Sequence, residues 1–192
     1  MTNYFSGHWE SDNAIMYSLL EELTLYGGQE RSGTKFFIKN GEKSTKPISC
    51  KFGTTFRCMI GKRKRTYCDI EKGYLTKLRE ENPELFDIFK EFSNYHFSDF
   101  SWTDITINFM PKSTSMKMHY DKINVGESIL CAFGDYEGGN TFIENVDKNK
   151  FDIYDCREQF VKFNGALKKH FVNTVRQGSR FSMVFYNSIK KF

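Results

Sequence analysis

After Phe97 the hydrophobic pattern changes period, and this change constrains the fold more than any other feature of the chain. Apolar residues recur at every second position or in short runs over 104–110, 128–133, 140–144, 159–163, 171–175 and 179–186, with Gly, Asn, Asp and Ser turns between them. Such spacing, with no helical stretch in between, predicts strands arranged as an antiparallel double-sheet roll. Helical periodicity is confined to the first half. Residues 12–26 carry Ile15, Met16, Leu19, Leu20 and Leu23 behind the cap candidates Asp12 and Asn13, and Gly27-Gly28 ends the segment. A second helix is expected over 73–78. A third is expected over 84–92, with Asn82 as its cap and Pro83 in its first turn. Segments 34–38 and 46–57 read as short strands or loops. The layout is α+β, a jelly-roll core with the N-terminal helices packed on the outside of one sheet.

At 192 residues the chain is expected to form one domain with a large core. Twenty Phe and ten Tyr against three Pro suit a β-rich interior of large side chains. No stretch approaches the roughly 18 apolar residues of a membrane span, and the polar start lacks a signal-peptide core. An intracellular protein of the cytoplasm or nucleus is therefore expected. Five cysteines, Cys50, Cys58, Cys68, Cys131 and Cys156, form no CxxC pair and read as free thiols rather than a disulfide framework or a zinc site. A net charge of +4 permits a nucleic-acid partner without demanding one.

Against this background four residues stand out. His119 and Asp121 are two positions apart at the end of an alternating segment, so both side chains can face one cavity. His170 enters a later strand after a Gly-containing turn. Two histidines and one carboxylate make a facial triad that suits Fe(II) and leaves positions open for a bidentate cosubstrate and O₂. Arg180, ten residues beyond His170, heads the most apolar run of the C-terminal part. A buried Arg needs an anion, and its planar fork fits the far carboxylate of 2-oxoglutarate. His8 and His96 have no second ligand nearby and read as ordinary histidines.

These residues, with Asn108-Phe109-Met110-Pro111 before them, the turn Gly134-Asp135-Tyr136-Glu137-Gly138-Gly139-Asn140 and Phe163-Asn164-Gly165, resemble the Fe(II)/2-oxoglutarate-dependent dioxygenase superfamily over roughly 104–187. The resemblance implies a double-stranded β-helix core over 97–190, with residues 1–96 supplying helices and substrate-covering loops. It implies Fe(II) on His119, Asp121 and His170, and 2-oxoglutarate on Arg180, with Asn108 and Ser182 as further cosubstrate contacts. O₂ would be the second cosubstrate and ascorbate a reductant.

Within the superfamily, His119-Tyr120-Asp121-Lys122-Ile123-Asn124 followed by the glycine-rich turn is similar to the TET/JBP group, which hydroxylates the 5-methyl group of pyrimidines in DNA. The interval from Asn108 to His119 resembles the AlkB group. Two places depart from AlkB: Tyr186 stands where that group has an Arg, and Met110 where it has a Tyr. The expected substrate is thus a nucleobase, 5-methylcytosine or thymine, with DNA favoured over RNA. A prolyl- or lysyl-type protein hydroxylase, and an AlkB-like nucleic-acid demethylase, are the alternatives.

Two features bear on the substrate, and each has a plainer reading. Asn124 can offer its amide to an extruded base or cap the turn before Gly126. The basic run Lys62-Arg63-Lys64-Arg65 can follow a phosphate backbone or be a solvated turn. Lys168-Lys169 adds positive charge beside His170.

Overall fold

The computed structural model describes residues 4–23, 29–30, 45–55, 58–61, 64–67, 74–75, 79, 82–157 and 159–188. Helix α1 runs Trp9–Leu23 and α2 Glu84–His96. The first strands are β1 Gln29–Glu30, β2 Ile48–Phe52, β3 Thr54–Thr55, β4 Cys58–Gly61, β5 Lys64–Tyr67 and β6 Tyr74–Leu75. Then come β7 Asp104–Pro111, β8 Met116–His119, β9 Asn124–Phe133, β10 Tyr136–Gly138 and β11 Thr141–Asn145. The last are β12 Lys150–Tyr154, β13 Val161–Phe163, β14 His170–Val172 and β15 Val175–Ser188.

Two antiparallel sheets form the body of the protein. The larger runs β1-β2-β7-β15-β9-β13, with β10 also pairing β15; the smaller runs β12-β11-β14-β8. Alternation along β7, β9 and β15 divides their side chains between two cores. Ile105, Ile107, Phe109, Ile129, Cys131, Phe133, Phe181, Met183 and Phe185 join the core that also holds Met16 and Leu20 of α1 and Phe89 and Phe92 of α2. Met110, Leu130 and Ala132 face the other way, into a second core with Met116, Ile143 and Val172 of the smaller sheet. The central strands are thus covered on both faces, which is why they read as nearly continuous apolar runs.

Helix α2 docks through Leu85, Ile88, Phe89 and Phe92, an i, i+3, i+4, i+7 stripe. Phe89 and Phe92 are fully buried, and each contributes roughly 1.5–3 kcal/mol by burial. The expected start of the first helix is corrected. It begins at Trp9, and Asp12 is no cap but a buried carboxylate in the first turn. Asp12 accepts hydrogen bonds from the Ser6 and Gly7 amides, the Ser6 hydroxyl and, at 3.0 Å, His96 Nε2. It ties the N-terminal segment and both helices together.

Within the helix expected over 73–78, two residues are corrected: Tyr74–Leu75 is a strand paired with Thr54–Thr55. Residues 73 and 76–78 of that helix lie outside the described residues. The short strand or loop expected over 34–38 and residues 24–26 of the first helix also lie outside them. Strand β12 was not anticipated. Among the described residues no helix is long and apolar enough to cross a membrane.

Candidate active site

The site sits between the sheets, in a cavity of about 100 Å³ lined by β7, β8, β9, β11, β14 and β15. Strand β8 ends at His119, and its neighbour β14 begins at His170; the two residues are direct register partners. That pairing brings together two histidines 51 positions apart, with ring centroids 4.3 Å from each other. Asp121 follows β8 in a loop pinned by its own amide, which donates to the Gly165 carbonyl at 2.8 Å. His119 Nε2 lies 3.6 Å from Asp121 Oδ1 and His170 Nε2 3.5 Å from Asp121 Oδ2. The three ligand atoms all fall within 4.8 Å of one another.

These separations are long for hydrogen bonds. They suit donors arranged around one ion, since ligands about 2.1 Å from a metal at right angles lie about 3 Å apart. The far side of each ring supports the same reading. His119 Nδ1 is 2.8 Å from the Lys117 carbonyl and His170 Nδ1 3.0 Å from the Lys168 carbonyl. A carbonyl only accepts, so each Nδ1 carries the proton and each Nε2 presents a lone pair toward the carboxylate. The donor set therefore fits a divalent metal such as Fe(II). Gly165 is required by contact, because a Cβ there would come within 2.9 Å of Asp121 Oδ2.

Arg180, on β15, is fully buried and lines the same cavity. Its Nη2 donates to Thr141 Oγ1 at 3.2 Å, and its Nη1 lies 3.9 Å from Met110 Sδ. Nε has no hydrogen-bond partner, and neither has the Tyr136 hydroxyl beside it. Burial pushes the Tyr136 phenol up to about 12, against the pull of the Arg180 charge. Among the described residues no carboxylate lies within ion-pair distance of Arg180. A desolvated guanidinium without a counter-ion is costly, so the pocket fits an anion such as the far carboxylate of 2-oxoglutarate. Gly139 admits this arrangement: a Cβ there would meet Arg180 Cδ at 2.9 Å and the Tyr136 ring at 3.1 Å.

Asn108 and Ser182 are register partners on β7 and β15, joined by Nδ2···Oγ at 3.5 Å. Both line the cavity with the metal ligands and Arg180. Ser49 donates to Asn108 Oδ1 at 2.9 Å. Tyr186 closes the same wall. It is buried, accepts a hydrogen bond from Thr106, and its phenol is pushed up to about 12 by desolvation.

The sequence-based site residues thus converge, with two exceptions. Asn124 lines the cavity but is only 6% exposed, and its amide is engaged with Asp121 and Ser128. Of the basic run, Lys62 and Arg63 lie outside the described residues, and Lys64 and Arg65 belong to β5, paired with β4 as a separate ribbon. Sequence reasoning missed Thr141, Tyr136 and Gly165. Tyr136 and Gly165 both lie in turns that carry the resemblance, but the turns alone gave neither a role in the site. Next to the ligands in sequence, Tyr120 and Ile123 expose 38% and 55% of their surfaces, and Ile123 lines the cavity. Lys117, Lys122 and Lys168, within two residues of a ligand, are exposed and enter no ion pair among the described residues, whereas Lys169 pairs with Glu144 at 3.8 Å.

No family model matches this sequence, and no curated protein matches it either. Solved structures do match. A 2OG-Fe(II) oxygenase family oxidoreductase from Burkholderia pseudomallei superposes with TM-score 0.53 at 15% identity, over 88% of this chain and 76% of the other. NgTET1 in complex with 5mC DNA gives TM-score 0.54 at 15% identity, over 91% and 67%. A Pseudomonas putida prolyl-4-hydroxylase gives 0.51 at 9% identity, over 98% and 91%. The chain shares its fold with a 2OG-Fe(II) oxygenase, a TET protein and a prolyl-4-hydroxylase.

Proposed function

We propose that this protein is an Fe(II)- and 2-oxoglutarate-dependent dioxygenase of one domain, built on a double-stranded β-helix core. Its proposed substrate is a nucleobase C–H, with the 5-methyl group of 5-methylcytosine or thymine in DNA favoured. The observation that carries the reading is one cavity lined both by the His119-Asp121-His170 donor set and by a buried Arg180 whose Nε has no partner.

His119, Asp121 and His170 would hold the metal, and Arg180 with Thr141 would hold the far carboxylate of 2-oxoglutarate. Asn108 and Ser182 are placed to contact the body of the cosubstrate. Hydroxylation of an unactivated C–H is the chemistry that Fe(II), 2-oxoglutarate and O₂ supply when bound, with ascorbate as an auxiliary reductant. The apolar walls, Met116, Leu130, Val172 and Val184, exclude water from that chemistry.

Three features support a nucleic-acid substrate. Tyr120 and Ile123 offer an exposed aromatic and aliphatic edge on which an unstacked base can rest. Lys117, Lys122 and Lys168, each within two residues of a ligand in sequence, are exposed and can attract phosphates. NgTET1, which has this fold, was solved with 5mC DNA. The fold shared with a prolyl-4-hydroxylase supports a protein substrate as the second reading.

The test is nucleoside mass spectrometry after incubation with Fe(II), 2-oxoglutarate, air and DNA carrying 5-methylcytosine and thymine, with an RNA arm and a peptide-library arm. Gain of one oxygen atom on a pyrimidine methyl is the expected result. Succinate release with peptides alone would transfer the activity to protein hydroxylation.

A further inference from the structure

Asp121 is the only metal-ligand candidate that does not lie on a strand, and its side chain is 26% exposed. A carboxylate in a loop needs something to fix its plane. Three contacts from this chain constrain it, two at Oδ2 and one at the Asp121 backbone carbonyl. Gly165 passes so close that a Cβ would sit 2.9 Å away. The Asn124 amide nitrogen donates to Oδ2 at 3.3 Å, and the Asn124 backbone N–H donates to the Asp121 carbonyl at 3.0 Å. The same Nδ2 also donates to Ser128 Oγ at 3.1 Å.

The orientation of this amide follows from chemistry, because a carboxylate only accepts and the nitrogen end must face it. Both amide hydrogens are thereby occupied. Asn124 and Ser128 are both buried, on β9, and are held by pairing with β15 and β13 at Ser188↔Asn124 and Phe163↔Ser128. A rigid strand thus lends its order to a ligand in a loop.

The geometry points to Asn124 as a positioning residue for Asp121, with Ser128 holding Asn124 in turn, and not as a contact for an extruded base. Partners of this kind behind a metal ligand are typically worth 10- to 100-fold in metal affinity. The inference rests on the reading of His119, Asp121 and His170 as a metal site, and the experiment separates the two.

The experiment titrates metal-free protein with Mn(II), a surrogate inert to O₂, by calorimetry and by electron paramagnetic resonance of free Mn(II). Wild type, Asn124→Ala and Ser128→Ala are compared, with melting temperatures measured without metal and with anisotropy of a fluorescent methylated oligonucleotide. Wild type is expected to bind one Mn(II). Asn124→Ala should weaken that binding by about 10- to 100-fold and Ser128→Ala by less, in the same direction. Oligonucleotide affinity and the metal-free melting temperature should stay near wild type. Should Asn124→Ala fold poorly, Ser128→Ala carries the comparison. Variants that bind Mn(II) like wild type while losing oligonucleotide affinity would overturn the inference and restore the base contact. A wild-type protein with no Mn(II) site would overturn the metal reading, and this inference with it.

Discussion

Replacing Arg180 by Met separates a cosubstrate anchor from a structural cation, because the two roles predict opposite changes in stability. Arg180 is fully buried, donates one good hydrogen bond to a neutral hydroxyl, and leaves Nε unpartnered. An ion in that condition destabilises the protein until an anion arrives, so a Met of similar length should leave the ligand-free protein as stable as wild type or more so. Binding of 2-oxoglutarate should suffer. Two charged hydrogen bonds at about 1.5 kcal/mol each give about 3 kcal/mol, or a loss of about a hundredfold in affinity.

The assay is thermal melting with Mn(II), with and without 2-oxoglutarate. At a concentration of about 100 times its Kd, the ligand stabilises wild type by about 2.7 kcal/mol. For a domain of this size that raises the melting temperature by roughly 5–11 °C. In Arg180→Met the same concentration only about equals the weakened Kd, and the shift shrinks to about 1 °C. An undiminished shift would show that the carboxylate binds elsewhere. A ligand-free melting temperature lower by about 10 °C or more would show Arg180 to be structural.

His119→Ala and His170→Ala should each abolish the single Mn(II) site while leaving the helix-side core intact; calorimetry reads the first and circular dichroism the second. Gly165→Ala places a methyl 2.9 Å from Asp121 Oδ2, so Mn(II) affinity should fall even though no ligand is removed. Replacing Lys117, Lys122 and Lys168 together by Gln should flatten the salt dependence of single-stranded oligonucleotide binding by about 2 units of slope, read by anisotropy over a salt series; an unchanged slope would remove these lysines from the binding surface. The buried Asp12–His96 pair predicts acid lability. Desolvation lowers the His96 pKa against the pull of Asp12. Desolvation works to raise that of Asp12, but the Ser6 and Gly7 amides outweigh it and the pKa is lowered. Both groups therefore contribute stability that is present above their unfolded values, near 6.5 and 3.8, and lost as pH falls. Urea melts should show a decline below about pH 6.5 that His96→Gln removes.

The legible parts of this protein were those whose chemistry demands particular residue types. His119, Asp121, His170 and Arg180 could be placed together from order and spacing alone, since few other combinations serve a metal and an anion. Strands β7, β9 and β15 were legible because helices on one face and the smaller sheet on the other make their central stretches largely apolar. Strand β12 was not, because a short edge strand with partly exposed side chains carries little signal. Asp12 looked like a helix cap because short polar residues at a helix start usually are, and only tertiary contact with His96 made it a buried staple. For Asn124 the two readings stayed open for a related reason: nothing local distinguishes an amide turned toward solvent from one turned toward Asp121. Thr141 and Tyr136 reach Arg180 through pairings between distant strands, which local pattern does not encode.

Succinate release from 2-oxoglutarate, measured with Fe(II), air and methylated DNA in wild type and His119→Ala, is the decisive measurement. Wild type should release succinate in proportion to oxygen gained by the pyrimidine methyl, and the variant none above background. Equal succinate from both proteins, or none from a wild type shown to bind metal and 2-oxoglutarate, would contradict the proposed function.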